Sequence, residues 1–305
     1  MSAYKSILNK HQKNFFGNYW SELVISLEKL MSFLTVSSIF IGTVGFFKAS
    51  IAYTLLGSLP DFRICTAVFL LVFSIYSLDK LTDSKEDAIN MPERGDFIKR
   101  HRRIVYAASI ASYLLSASIV LLAKPWALPI MLLPIAANAV YGSRISPRIP
   151  RLKDIPVMKN LLVAFIWSSL ITALVAWGKS DLLGIAFISY FLLTKSFINT
   201  VLYDIRDLEG DRENGVRTIP VLMGLTWTTI ILLALNSTLL LCMWLLPGPW
   251  QLPAAMLAIY GYIYILCFNK GGNKNALDLC VDGEWMIAYI ILLALGGARM
   301  SLPFF

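Results

Sequence analysis

Long apolar runs separated by short polar stretches dominate this chain. Crossing a bilayer as a helix takes roughly 20 mainly apolar residues. By that measure nine spans are expected, at about 23–48, 62–83, 102–123, 126–142, 157–177, 182–204, 224–246, 250–268 and 284–303. The fourth is short and carries Pro129 and Pro134, which predicts a kink or a tilt. Pro247-Gly248-Pro249 marks a tight turn between the seventh and eighth. Ahead of the first run, Ile7, Leu8, Phe15 and Phe16 alternate with Lys5, Lys10 and Lys13. Residues 1–21 are therefore expected to lie on the membrane surface as an amphipathic segment, a frayed polar tail being the alternative. The start, Met1-Ser-Ala-Tyr-Lys-Ser-Ile, has no cleavable-signal pattern, so the first span is expected to direct insertion. The fold class predicted is all-α, a polytopic bundle of about nine transmembrane helices around a central cavity. With no room for a soluble domain, residues 1–305 form one membrane-embedded domain.

Composition agrees. Of 305 residues 57% are apolar and only 15% charged, with a mean hydropathy of +0.66; a soluble domain carries about 25% charged residues. A net charge of +8 would suggest nucleic acid in a soluble protein, but here it reads as a topology signal and no nucleic-acid partner is expected. Most lysines and arginines fall in the N-terminus and in the loops 80–103, 142–159, 204–217 and 268–283. Lys48, Arg63, Lys124, Lys179 and Arg299 are left for the opposite face. The N-terminus and these four loops are thus expected in the cytoplasm and the C-terminus outside. Cys65, Cys242, Cys267 and Cys280 show no metal or redox spacing, and His11 and His101 alone make a histidine-ligated metal site improbable. Lys29 and Lys195, in or near spans, are expected to snorkel, and Glu284 to sit at the interface. No obligate protein partner is evident.

Two polar islands carry candidate chemistry. Asp204, Asp207 and Asp211, spaced i, i+3, i+7, would share one helix face with nothing apolar on it. Asp79, Asp83 and Asp87, spaced i, i+4, i+8, would form a stripe roughly 12 Å long. Like charges at i, i+4 destabilise a helix, and a carboxylate near hydrocarbon is costly, so a cation is expected to offset both. One such cluster is more often a solvated helix end; two, on the same membrane face, point to a shared ligand. Mg²⁺ takes one or two carboxylates, waters and substrate phosphate oxygens, so the two stripes could flank one diphosphate. Arg94, Lys153, Lys159 and Arg206 could neutralise its remaining oxygens. Arg100, Arg102 and Arg103 read as topology charges facing phospholipid.

Both stretches resemble the UbiA-type intramembrane prenyltransferases. The first family motif, Asn-x-x-x-Asp-x-x-x-Asp followed by Asn-x-Pro-Glu-Arg-Pro, is similar to Asp79, Asp83, Asp87 and Asn90-Met-Pro-Glu-Arg-Gly95. The second, Tyr-Asp-Ile-x-Asp-x-x-Gly-Asp-Arg, is matched from Tyr203 to Arg212, and its tail by Gly215-Val-Arg-Thr-Ile-Pro-Val221. Tyr141 and Leu152-Lys153 resemble the family's Tyr and Leu-Lys after the fourth span. The departures are Asp79 for the usual Asn, which adds a charge, and Gly95 for Pro. The resemblance implies a Mg²⁺-dependent transfer of the prenyl group of a polyprenyl diphosphate to an aromatic or other lipophilic acceptor, by ionisation to an allylic cation. It implies metal-binding through Asp79, Asp83, Asp87, Asp204, Asp207 and Asp211, with Asp83, Asp207 and Asp211 central to catalysis. Diphosphate contacts would come from Arg94, Tyr141, Lys153, Lys159, Arg206 and Arg217. Two other readings compete. A CDP-alcohol-type phosphotransferase would need its acids in one compact run, whereas here they are split over two loops. A transporter would line a path with acids, whereas these lie at helix ends on one side.

Overall fold

The computed structural model describes residues 26, 29–82, 92–142, 155, 157–213, 215–246 and 248–300. Among them the chain is helical almost throughout. The helices are α1 (Lys29–Val36), α2 (Ile39–Leu55), α3 (Phe62–Thr82), α4 (Pro92–Ala123), α5 (Leu132–Gly142), α6 (Met158–Ala176), α7 (Leu182–Arg206), α8 (Leu208–Glu213), α9 (Ile219–Cys242), α10 (Gly248–Phe268), α11 (Lys274–Leu277) and α12 (Glu284–Met300). Six of them (α3, α4, α6, α7, α9 and α10) are long and apolar enough to cross a membrane alone, and α1 with α2 makes a seventh broken span. The protein is an integral, multi-pass membrane protein. The expected nine is not reached by length: a 3₁₀ segment, Pro125–Met131, interrupts the fourth stretch before α5, and α12 has 17 residues.

Several boundaries move for identifiable reasons. The first apolar run is not one helix. It bends by 74° at Ser37-Ser38, where Ser38 takes φ 65. Lys80 reaches the carbonyls at this break, donating to Val36 O at 3.0 Å and to Thr35 O at 2.8 Å, the latter shared with Ser38 N–H at 3.3 Å. Lys80 is thus buried against α1 and is no simple loop charge. Past the break, α2 runs on to Leu55, so Lys48 sits inside a span and not on the outer face. In α4 the backbone departs from helical geometry at His101, and in α9 at Gly224, whose φ of 75 suits glycine.

Burial sorts the helices. In their most apolar windows α3 and α7 are each 61% buried, against 17% for α4 and 22% for α9, so α3 and α7 are central and α4 and α9 face lipid. The larger core cluster joins α2, α3, α6 and α7 through Leu71, Leu170, Phe187 and Phe191. A smaller one packs Ile198, Val201, Leu202 and Ile205 of α7 against Tyr264 and Phe268 of α10 and Leu277 of α11. This second cluster holds the end of α7 that carries the second acidic stretch.

Candidate active site at the C-terminal end of α7

Helix α7 stops at Arg206, and Asp207 caps it with φ −95 and ψ 9. The turn is not lost, because Asp211 N–H still reaches Asp207 O at 2.9 Å and α8 begins at once. Asp207 and Asp211 therefore stay one turn apart. Gly215, at φ 68, closes the stretch, with Val216 N–H on Asp211 O at 2.8 Å. Pro220 then starts α9, where no N–H is needed.

The three aspartates are used differently. Asp204 is 3% exposed and turned into the bundle, where it accepts from Lys159 Nζ at 3.2 Å and Asn160 Nδ2 at 2.8 Å. It ties the acidic stretch to the start of α6. Asp207 holds both oxygens on one guanidinium, with Arg206 Nε at 2.9 Å and a terminal nitrogen at 2.7 Å. Asp211 is buried, and among the described residues its Oδ2 meets no hydrogen-bond donor in bonding geometry, with Thr218 Oγ1 standing near it equally unpaired. Burial, joined by the charges of Asp204 and Asp207 and opposed by Lys159, pushes the Asp211 carboxyl up to about 6.

Of the other residues expected at the site, Asp79 lies half-buried in the last turn of α3. Arg217 is exposed in the turn before α9. Lys159 keeps about a third of its side chain exposed beside Asp204. Asp83, Asp87 and Lys153, and the side chains of Arg94 and Tyr141, lie outside the described residues, as does the 1–21 segment. Among the described residues no three Asp, Glu, His or Cys side chains converge closely enough to hold a metal by themselves. The donor set nevertheless suits Mg²⁺: all oxygen, one carboxylate already occupied by a cation, and a second with a buried unpaired oxygen.

The sequence reading missed a third polar group. Asp278 and Asp282 lie on a π turn (Asp278–Asp282) between α11 and α12, 5% and 7% exposed. Tyr203 Oη donates to Asp282 at 2.6 Å, and an Arg206 nitrogen lies 3.5 Å from Asp278. Deeper in, Lys195 is fully buried and donates to Glu284 at 2.5 Å, to Leu257 O at 2.8 Å and to Tyr264 Oη at 3.1 Å. Lys195 therefore does not snorkel, and Glu284 is a buried partner, not an interfacial charge. The available signal was spacing: Lys195, Asn199, Tyr203 and Arg206 follow one face of α7, and Asp278 and Asp282 are i, i+4.

A helical membrane bundle with paired carboxylates at a helix end defines the class, and similarity to known proteins agrees with it. Residues 38–277 match the UbiA prenyltransferase family, and the chain belongs to it. It is similar to digeranylgeranylglyceryl phosphate synthase of Thermococcus sibiricus, 28% identical over 200 residues covering 62% of this chain and 66% of that one. It is also similar to the Pyrococcus horikoshii protein of the same name, 26% identical over 251 residues covering 80% of this chain and 83% of that one. The match thus spans just under two-thirds of the Thermococcus sibiricus relative's length. In fold it resembles a UbiA homologue from Archaeoglobus fulgidus bound to GPP and Mg²⁺, with TM-score 0.65 and 16% identity, covering 88% of this chain and 99% of that one.

Proposed function

We propose that the whole chain, 1–305, acts as one prenyltransferase domain that moves the prenyl group of a polyprenyl diphosphate onto a lipophilic or aromatic acceptor within the bilayer. The observation that carries this reading is the end of α7. Two carboxylates one turn apart, Asp207 and Asp211, stand beside Lys159 and Arg206 at a membrane-embedded helix end. That is a charge pattern for a metal-bound diphosphate. Membership of the family and the likeness to a GPP- and Mg²⁺-bound homologue support it. The relatives' name makes a glyceryl phosphate ether the first acceptor to assay. The positive-inside bias supports a cytoplasmic location for the acidic stretches and the N-terminus, with the C-terminus outside.

In this reading Asp207 and Asp211 would hold Mg²⁺ together with Asp79, Asp83 and Asp87, and Asp204 contributes as the buried support. Bound there, Mg²⁺ would neutralise charge on the leaving diphosphate. Lys159 and Arg206, with Arg94, Tyr141, Lys153 and Arg217, bind the other phosphate oxygens and hold the leaving group as the C1–O bond ionises to an allylic cation. Tyr76, one turn before Asp79 on α3, stacks on Trp167 of α6 at 5.8 Å. That pair, with the aliphatic faces of α3 and α6, excludes water that would otherwise capture the cation.

The test is purified protein assayed with a panel of prenyl diphosphates and acceptors, product mass being read out. Asp83→Ala and Asp207→Ala are expected to abolish Mg²⁺-dependent transfer while leaving thermal stability near wild type. Full activity in both variants would remove the two-stripe site.

A further inference from the structure

The acids ahead of the last helix are absent from the two-stripe picture, yet they are built in with care. The π turn sets Asp278 and Asp282 toward α7, with Gly283 N–H on Asp278 O at 3.3 Å. A Cβ on Gly283 would overlap the Leu279 carbonyl, so the turn requires glycine. π turns recur at functional sites. Across from it, Asn199, Tyr203 and Arg206 present one face of α7. Tyr203 Oη and Asn199 Nδ2 donate to Asp282 at 2.6 and 3.5 Å, while the Arg206 guanidinium lies over the Tyr203 ring at 4.7 Å.

Arg206 is shared unequally between two carboxylates. It grips Asp207 by two short bonds and touches Asp278 only at 3.5 Å. The oxygens of Asp207 that Arg206 occupies are those a divalent cation would need. A cation on Asp207 would compete with the guanidinium for them and repel its charge, and Asp278 is the acid already within its reach. Resting on the function proposed above, we infer that Asp278 is a positioning residue that draws Arg206 off Asp207 when a divalent cation binds, so that Arg206 fills Asp207 only in the metal-free state.

The two partners should then shift cation binding in opposite directions. Mn²⁺ is titrated into purified protein and followed by electron paramagnetic resonance, with and without a non-reactive prenyl thiolodiphosphate. Arg206→Gln is expected to tighten Mn²⁺ by about tenfold, since a competing charge-assisted pair is gone. Asp278→Asn is expected to weaken it severalfold, and Asp278→Glu to restore it. The double variant should follow Arg206→Gln, because no guanidinium remains to relocate. A structural role alone would weaken binding in both single variants, or in neither, and either result overturns the proposal. Opposite shifts without prenyl transfer from any donor would instead remove the proposed function and leave the exchange standing. Wild-type protein that binds no Mn²⁺ in either condition overturns both.

Discussion

The buried pair Lys195–Glu284 allows a quantitative test of how charge is carried inside this bundle. The ammonium spends all three donors, on Glu284, Leu257 O and Tyr264 Oη. Glu284→Leu removes its one counter-charge among the described residues while both neutral acceptors remain. Breaking a buried pair by deleting one partner costs about 3–5 kcal/mol. At about 2 °C per kcal/mol for a chain of this size, that predicts a melting temperature lower by roughly 6–10 °C. Glu284→Gln keeps an acceptor, leaving a smaller loss of about 1–3 kcal/mol. The double variant Lys195→Met/Glu284→Leu removes both charges and should recover most of the loss, since hydrophobic replacement of buried pairs is often neutral or stabilising. Detergent-solubilised protein, melted at one fixed scan rate with intrinsic fluorescence as readout, gives the full double-mutant cycle. A double variant no more stable than the worse single one would refute the argument. So would a Glu284→Leu variant that melts like wild type.

Three further outcomes are expected. Lys80→Met removes the ammonium from the Val36 carbonyl, and from the Thr35 carbonyl that Ser38 N–H also reaches, at the α1–α2 break, and should cost about 1–3 kcal/mol in the same melting assay. Gly261→Ala puts a Cβ into the Asn236 side chain, which bonds Ala258 O at 2.7 Å, and should cost about 1–3 kcal/mol by overpacking α9 against α10. Asp211, raised from its ordinary 3.8 to about 6, takes up its proton in the folded state before the unfolded one does. Metal-free protein should therefore gain stability as pH falls from about 7 to about 5, and Asp211→Asn should flatten that trend.

Much of the architecture was legible because hydrocarbon imposes a strong, local pattern: apolar runs of span length, and basic loops between them. The breaks were not. Ser37 and Ser38 interrupt a run too apolar to show a boundary, and the residue that makes the bend tolerable, Lys80, lies 44 positions from Val36. The second acidic stretch was found by spacing alone, but spacing treats Asp204, Asp207 and Asp211 as equals. What separates them is which neighbour reaches each: Lys159 and Asn160 from α6 for Asp204, and the adjacent Arg206 for Asp207. Lys195 and Glu284, 89 positions apart, each look like a charge to be kept near water, and only the packing of α7 against α12 shows that they neutralise each other.

The charges along α7 are not independent of one another. Lys195 meets Glu284; next to it Ser196 accepts from Lys48, whose ammonium stands 4.9 Å from the centre of the Trp285 ring. One turn on, Asn199 and Tyr203 meet Asp282, and then Arg206 meets Asp278 and Asp207. Among the described residues, the partners of this face come from the run 278–285, the π turn and the start of α12, except for Lys48, Asp207 and the groups of α10. A single short segment therefore supplies both the deep counter-charge and the acid beside the candidate metal ligand. The deep end is dry, so its pair acts on stability and breaking it is expensive. The other end is more open, at 10% for Arg206 and 20% for Asp207, and there the guanidinium has two carboxylates within reach. Substitutions at Glu284 should move the melting temperature and leave cation affinity alone, while substitutions at Asp278 should do the reverse.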